Sequence, residues 1–483
     1  MLKPLSLADA QRLREFFRQA NYTHQEFEGR RWLAELPSRS GTLPLMLDQT
    51  RDSTLQNLIL RLFFLDVPVD TAHAESLAPA ATLEALVACG MLVRGRDTFS
   101  ATVMLTPCDE CLFAADRPAR MESHAPDLVI WPNPTTRLLH QFTIRRPSRA
   151  TLDLGAGCGI QAVFAAAHSE SVVATDLNPR AEEFTRFNAW LNGVSHIECR
   201  TGDTFQPVQN RKFDLIVANP PFFVTPSGDQ IYCENEMELD RYCRRIAREA
   251  PGYLNEGGYL QMVCEWVQMS GQPWPDRVRE WIEGSGCDAW VFRGYARDAA
   301  TYARERIRQT GADAGGETLQ RWLNYYRERG VEQIHGGIVA MRRRSGRNWL
   351  RFEEMPLDPS QPFGEAICLA FASIDQLEQH GSDQELLAAH LRLYPDTQLD
   401  QQFRQSSGTW QLRGMTLRCT GGLSGSMSLQ PMVADFLGRL DGSRTLGEVI
   451  AAFAAGAAAP PEVVQRECLS VVRRLLERRF ILP

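Results

Sequence analysis

The chain has 483 residues, 44% hydrophobic and 23% charged, with a net charge of −7. That length exceeds one compact core and points to roughly two to four domains. No apolar run approaches the ~20 residues of a membrane span, and the acidic balance argues against a protein that coats itself in nucleic acid, though not against a local basic groove. The opening Met1-Leu2-Lys3-Pro4-Leu5-Ser6 leads straight into an amphipathic helix without an apolar signal segment, and the cysteines are scattered through apolar stretches as reduced core thiols would be. The chain therefore reads as cytoplasmic.

Residues 1 to about 120 read as a helical module ending in a winged-helix-like pattern. Ser6 caps a first helix with Leu7, Leu13, Phe16 and Phe17 near one face, and a second helix covers His24 to Leu36. Ser53 caps a third with Leu55, Leu58, Ile59, Leu62 and Phe63 as its apolar stripe, and Thr82 to Ala88 is a short helix ended by Gly90. Met91–Arg94 and Phe99–Leu105 flank Gly95-Arg96-Asp97 as a hairpin. Such a module suits nucleic-acid contact or protein packing, and the acidic chain favours packing. Cys108 and Cys111 form a C-x-x-C with no second pair near it, and the histidines show no H-x-x-x-H spacing, so no metal is expected.

From about 121 to 351, strand-like runs alternate with helical patterns, the signature of an α/β domain with a mostly parallel sheet. The strands fall at Ala150–Leu154, Ser171–Thr175, His196–Arg200, Phe213–Ala218, Tyr259–Glu265, Ala289–Arg293 and Gly337–Arg342, with helices near 160–167, 180–192, 238–254, 275–284 and 298–309. Pro226 to Met237 lacks periodicity and reads as a loop over the C-terminal edge of the sheet. Residues 352–483 form a C-terminal extension, with the proline-rich Leu357–Phe363 as the boundary. From about 428 it holds a small helix-turn-helix-like module, with helices Thr445–Ala455 and Pro461–Arg478.

Four motifs carry chemistry. Thr151-Leu152-Asp153-Leu154-Gly155-Ala156-Gly157-Cys158-Gly159 ends a buried strand in a glycine-rich turn that lets backbone pass close to a ligand. Asp176 ends the next strand about 20 residues after Gly155, where a carboxylate can accept both hydroxyls of a ribose. Asp203, after the third strand, can accept from an exocyclic amine or simply make a turn. Asn219-Pro220-Pro221-Phe222 follows the fourth strand, and two prolines cannot continue it. The Asn219 amide oxygen and the Pro220 carbonyl can accept the two hydrogens of an –NH2 group, with Phe222 offering a flat face. A nicotinamide site would explain Gly155 and Asp176 but leave Asn219 to Phe222 without a task.

Together these stretches resemble the class I S-adenosylmethionine-dependent methyltransferases of the small-domain group with the NPPF motif. That group includes ribosomal RNA guanine-N2, tRNA adenine-N6 and release-factor glutamine methyltransferases. The resemblance covers about residues 120–345, and the full layout is similar to long bacterial members of the group. It implies a Rossmann-like fold with a seven-stranded, mostly parallel sheet, and S-adenosyl-L-methionine as cofactor. Asp153, Gly155, Gly157 and Gly159 would hold its methionine end, Asp176 the ribose and Asp203 the adenine, with Asn219 at the junction of cofactor and acceptor. Asn219, Pro220 and Phe222 would orient and stack the acceptor nitrogen, with no metal. The acceptor expected first is RNA, at guanine N2 or adenine N6 in rRNA or tRNA, supported by the basic run Arg342-Arg343-Arg344-Ser345-Gly346-Arg347 and Arg351. The alternative is a protein glutamine, although release-factor enzymes usually carry Tyr where this chain has Phe222. A domain that binds the cofactor and transfers nothing is the third reading.

Overall fold

The alternating patterns of residues 148–354 close into one eight-stranded sheet. Across it the strands run Leu350–Glu354, Cys287–Asp298, Val331–Arg343, Leu254–Met269, Phe213–Ala218, Ser148–Leu154, Ser169–Asp176 and Ile197–Thr201. The last five in that order pair in parallel, and Val331–Arg343 runs antiparallel to both of its neighbours. All seven expected strands are present. The eighth, Leu350–Glu354, adds itself in parallel beside Cys287–Asp298. The computed structural model describes residues 2–29, 42–226, 232–310, 316–355, 362–379, 382–395, 397–406, 408–419, 425–478 and 480–482. Among these, no helix is long and apolar enough to cross a membrane.

The sheet's central strands read as apolar runs because both faces are covered. On one face, Leu152, Ile216, Leu260 and Met262 pack with Ile246, Trp281 and Ile282 from the helices Arg241–Glu249 and Trp274–Ile282. On the other, Cys158, Ile160, Phe184 and Phe187 join Phe16, Phe17, Phe63 and Phe113 of the N-terminal part in one continuous apolar core. Asn188 and Asn192 of the helix Pro179–Leu191 satisfy the backbone of the strand Cys111–Ala115. Asn188 exchanges hydrogen bonds of 2.8 Å with Ala114 in both directions, and Asn192 does the same with Leu112 at 3.0 and 2.8 Å. Buried strand backbone needs such partners, and side-chain amides can imitate a neighbouring strand.

Several local expectations change. Ser6 does cap Leu7–Gln19, accepting from Asp9 N, but the cap of Leu55–Phe63 is Thr54 rather than Ser53. The second helix spans His24–Gly29, and the remainder of the expected His24–Leu36 lies outside the described residues. The first hairpin pairs only Leu92–Arg94 with Thr98–Ala101, and Met104 and Leu105 belong to a second hairpin, Met104–Cys108 with Cys111–Ala115. A helix at Gly316–Glu328, absent from the expected set, follows Ala299–Thr310.

Contact clustering divides the chain into two compact units, Met1–His140 with Pro147–Met355, and Gln141–Arg146 with Pro356–Pro483. The second unit has its own core, in which Leu446, Val449 and Ile450 of the helix Leu446–Ala454 meet Leu469, Val472 and Leu476 of Pro461–Glu477. Thr445 and Glu448 form a reciprocal capping box at the start of the former. The expected proline-rich boundary Leu357–Phe363 falls mostly outside the described residues.

Candidate functional site

The register of the sheet brings the glycine loop and the Asn219 motif together. Leu154 pairs with Ala218, which pairs with Met262, so Gly155 and Asn219 leave adjacent strands side by side at the C-terminal edge. A Cβ on Gly155 would sit 3.7 Å from the Asn219 carbonyl oxygen. Above this junction lies a cavity of about 580 Å³, lined by Gly155, Gly157, Asp176, Asp203 and Asn219 among others. That volume is within the ~300–1,000 Å³ usual for small-molecule sites.

The three glycines do different things. Each has positive φ: +77° at Gly155, +55° at Gly157 and +79° at Gly159. A Cβ at Gly157 would meet nothing within 4 Å, so its backbone faces the cavity unobstructed. A Cβ at Gly159 would press into Thr185 at 2.7 Å, so this glycine lets the loop lie against the helix Pro179–Leu191 and does not line the cavity. Thr185 and Asn188 of that helix donate to the carbonyls of Gly157 and Cys158, fixing the loop from behind.

Asp153 is also displaced from its expected place. It is buried beneath the loop and accepts from the backbone N–H of Ala162 at 2.8 Å, within the helix Ile160–Ala165. It shapes the turn without lining the cavity. Burial pushes its carboxyl up to about 7, against the pull of that hydrogen bond.

Asp176 lines the cavity. Its two oxygens accept from Gly157 N and Asn178 N, each at 2.8 Å, which ties the ends of two neighbouring strands together. Burial raises its carboxyl above the ordinary value. The Leu177 N–H also bonds to this carboxylate, and with about four acceptor positions it keeps capacity for a ligand. Asp203 lines the cavity as well, but its Oδ2 accepts from Arg245 Nη1 at 2.8 Å. The turn acid is therefore ion-paired, which the motif did not reveal. The floor beside Asp176 is completed by Leu128–Trp131. That segment is held by Asp116, which accepts from Val129 N at 2.8 Å and from both terminal nitrogens of Arg180 at 2.6 Å.

Asn219 reaches the cavity, but its neighbours divide. Pro220 borders a small separate void behind Gly155, with Tyr242 and Ile246. The Phe222 ring is half-buried against the sheet core, 5.5 Å from Phe223, and is not part of the cavity lining. The aromatic faces that line it are Trp131, Tyr232 and Tyr242. Phe222 lies past both prolines and packs back on the core, whereas Asn219 directly follows the strand end at Ala218 and is still at the edge.

The side of the cavity beyond Asn219 is assembled by residues that spacing could not flag. Part of the loop expected at Pro226–Met237 lies outside the described residues, but its return, Tyr232 to Met237, lines the cavity. Asn235 Nδ2 donates to the Pro221 carbonyl at 2.7 Å, and Phe223 N donates to Cys233 O at 2.9 Å. The helices Ala299–Thr310 and Gly316–Glu328 hold this loop at both ends. The Tyr302 hydroxyl accepts from Val224 N at 3.1 Å, and the Tyr326 hydroxyl donates to Val224 O at 2.7 Å. Tyr325 accepts from Leu239 N at 3.0 Å, and Arg329 Nε donates to Glu238 at 2.6 Å. Below, Glu265 is fully buried and receives the hydroxyls of Tyr295 and Tyr302 and the guanidinium of Arg306, which stacks 3.9 Å over the Phe223 ring.

The sequence profile of the family described as Methyltransferase small domain matches residues 133–272. This part of the chain is a methyltransferase small domain. The cofactor such a domain uses is S-adenosylmethionine, and the site suits it, with an unobstructed glycine backbone beside a carboxylate that keeps acceptor capacity. A domain of unknown function matches residues 370–483. Among curated proteins, the domain is similar to the release factor glutamine methyltransferases of Xylella fastidiosa and Cereibacter sphaeroides. The first is 32% identical over 25% of this chain and 48% of its own length, and the second 35% identical over 27% and 51%. The ribosomal protein uL3 glutamine methyltransferase of Bradyrhizobium diazoefficiens is 28% identical over 29% and 49%. The chain thus spans about half the length of the curated relatives it matches. Among solved structures, the ribosomal protein L11 methylase of Lactobacillus delbrueckii subsp. bulgaricus is 20% identical, covering 45% of this chain and 83% of that one, with a TM-score of 0.27. The M. jannaschii tRNA m1G37 methyltransferase is 13% identical over 54% of this chain and 65% of that one, with a TM-score of 0.30. Neither likeness is high enough to bear on the acceptor.

Proposed function

We propose that the chain is an S-adenosylmethionine-dependent N-methyltransferase whose acceptor is the side-chain amide of a protein glutamine. The observation that carries the proposal is the adjacency of Gly155 and Asn219 at one edge of the cavity, a donor floor beside an amide that can hold a planar –NH2 group. When bound, the cofactor supplies a methyl group already activated on a sulfonium. Asp176 accepts from the ribose hydroxyls, and the Gly157 backbone lets the cofactor lie close. Asn219 Oδ1 accepts hydrogen bonds from the N–H groups of the acceptor amide. These bonds localise the nitrogen lone pair and strengthen as positive charge develops there. Fixing the approach of the acceptor supplies much of the remaining rate.

Protein is favoured over RNA on three grounds. The curated relatives act on glutamine by name. The acceptor side of the cavity carries Glu234 and Glu236, an unfavourable setting for a phosphodiester backbone. Three arginines of the basic run expected to contact phosphates, Arg342, Arg343 and Arg344, have partners inside the fold. Arg342 is buried and donates to Asp288 at 2.6 Å, Arg344 reaches the same carboxylate at 3.4 Å, and Arg343 donates to the Pro251 carbonyl at 3.3 Å. Arg342 pairs with Tyr259, which precedes Met262, the partner of Ala218, so it lies on the side of that register away from the C-terminal edge of the sheet.

The test incubates the full chain with tritiated S-adenosylmethionine and lysate from a strain deleted for the gene, then divides the product between RNase and protease. Label released by protease and retained through RNase, recovered on glutamine, is expected. Label released by RNase alone overturns the protein reading in favour of an RNA base.

A further inference from the structure

The C-x-x-C of the second hairpin lacks a partner pair in sequence, and the fold supplies different partners. We infer that His24, Cys108 and Asp109 form a binding site for a divalent transition-metal ion, with zinc the best match to the donors. His24 opens the helix His24–Gly29, Cys108 ends the strand Met104–Cys108, and Asp109 turns the hairpin with φ +49°. One coordinating atom from each lies within 4.8 Å of the other two. His24 Nε2 is 3.9 Å from Asp109 Oδ1. Around a four-coordinate zinc with bonds of ~2.0–2.3 Å, neighbouring donors lie roughly 3.3–3.8 Å apart, so small side-chain movements complete the geometry. Nitrogen, thiolate and carboxylate donors in one site are a zinc set; calcium and magnesium would call for oxygen alone.

A second histidine strengthens the case. His140, from the helix Pro134–Phe142, places Nε2 3.0 Å from the other Asp109 oxygen, and its ring stacks on Phe164 with centroids 3.8 Å apart. Ligating carboxylates are commonly held from behind in this way. Cys111 lies directly across the hairpin from Cys108 but is not one of the three donors. The motif is therefore split, with one cysteine joining two residues remote in sequence and the other left to packing. An ion here would lock the N-terminal helices to the hairpin that Asn188 and Asn192 dock against the Pro179–Leu191 helix. Binding replaces the thiol proton of Cys108, which passes to solvent, and no electron is exchanged.

The test uses the full chain, purified without a histidine tag, incubated with zinc, passed over chelating resin and measured by plasma mass spectrometry. About one zinc per chain is expected, with a higher melting temperature than the chelator-stripped protein. Cys108→Ser and His24→Gln should each lower zinc affinity at least about tenfold, while Cys111→Ser retains it. Wild type holding no more zinc than Cys108→Ser, or Cys111→Ser losing it equally, overturns the site. Should Cys108→Ser fail to fold, cobalt titration of the wild type decides. Thiolate-to-cobalt absorption with tetrahedral d–d bands supports the site, and their absence overturns it.

Discussion

The two sides of the cavity are built in opposite ways. The side of the glycine loop, proposed to hold the donor, is local: Gly155, Gly157, Asp176 and Asp203 follow the ends of three strands that come one after another in the chain, and the sheet's register lays them along one edge. The side proposed to hold the acceptor is assembled from a distance. Val224 is held by hydroxyls at positions 302 and 326, and Leu239 by one at 325, all from two helices placed between the strands Cys287–Asp298 and Val331–Arg343. A pocket for an invariant cofactor can be encoded by short motifs at strand ends. A pocket that selects an acceptor can be re-aimed by changing helices outside those motifs, without disturbing the donor floor.

Substitutions can separate the two sides. The largest effect is expected from Asn219→Ala, which removes an interaction that strengthens in the transition state. Methyl transfer should fall about 100-fold or more while cofactor affinity stays within about threefold, measured by single-turnover label transfer and calorimetry. Gly159→Ala comes next and acts through the fold. Its φ of +79° and the 2.7 Å approach to Thr185 leave a methyl nowhere to go, so about 1–3 kcal/mol of stability should be lost, read from denaturant melts. Tyr326→Phe removes only the donor to Val224 O, and Tyr302→Phe also strips a partner from Glu265. Both should raise the KM for acceptor about three- to tenfold and leave cofactor affinity within about twofold, with Tyr302→Phe the more severe. Equal weakening of cofactor and acceptor would erase the distinction between the sides.

The smallest effect concerns pH. Asp153 has a folded value of about 7 against an ordinary 3.8, so the folded chain holds the proton more tightly than the unfolded one. Its contribution to stability is complete below about pH 4 and is lost as pH rises toward 7. Asp153→Asn removes this dependence. The melting temperature of wild type relative to the variant should therefore decline between pH 4 and 7 and level off above, in scans of both proteins.

The same contrast sets what could be read without coordinates. Most of the seven strands were visible as apolar runs buried on both faces between helical patterns. The cavity-lining Gly155, Gly157, Asp176 and Asp203 were visible because glycine and acid recur at the length of one βα unit. The helix Gly316–Glu328 escaped because Leu319, Trp322 and Tyr326 do follow a helical spacing but are diluted by Arg, Gln and Asn on a half-exposed helix. Glu265 reads as an ordinary strand residue, and only the fold places two tyrosines and an arginine around it. Phe222 failed in another way. Its motif fixes where the strand stops but not which way the ring turns after two prolines, and the ring turned to the core.

The proposed function requires the cavity to be a donor site. Calorimetric titration of the wild-type chain and of Asp176→Ala with S-adenosylmethionine tests this most directly. A single saturable site is expected in wild type, weakened about tenfold or more in the variant through loss of the ribose acceptor and of the bond to Gly157 N. No binding to the folded wild type, or equal affinity in the two proteins, would contradict it.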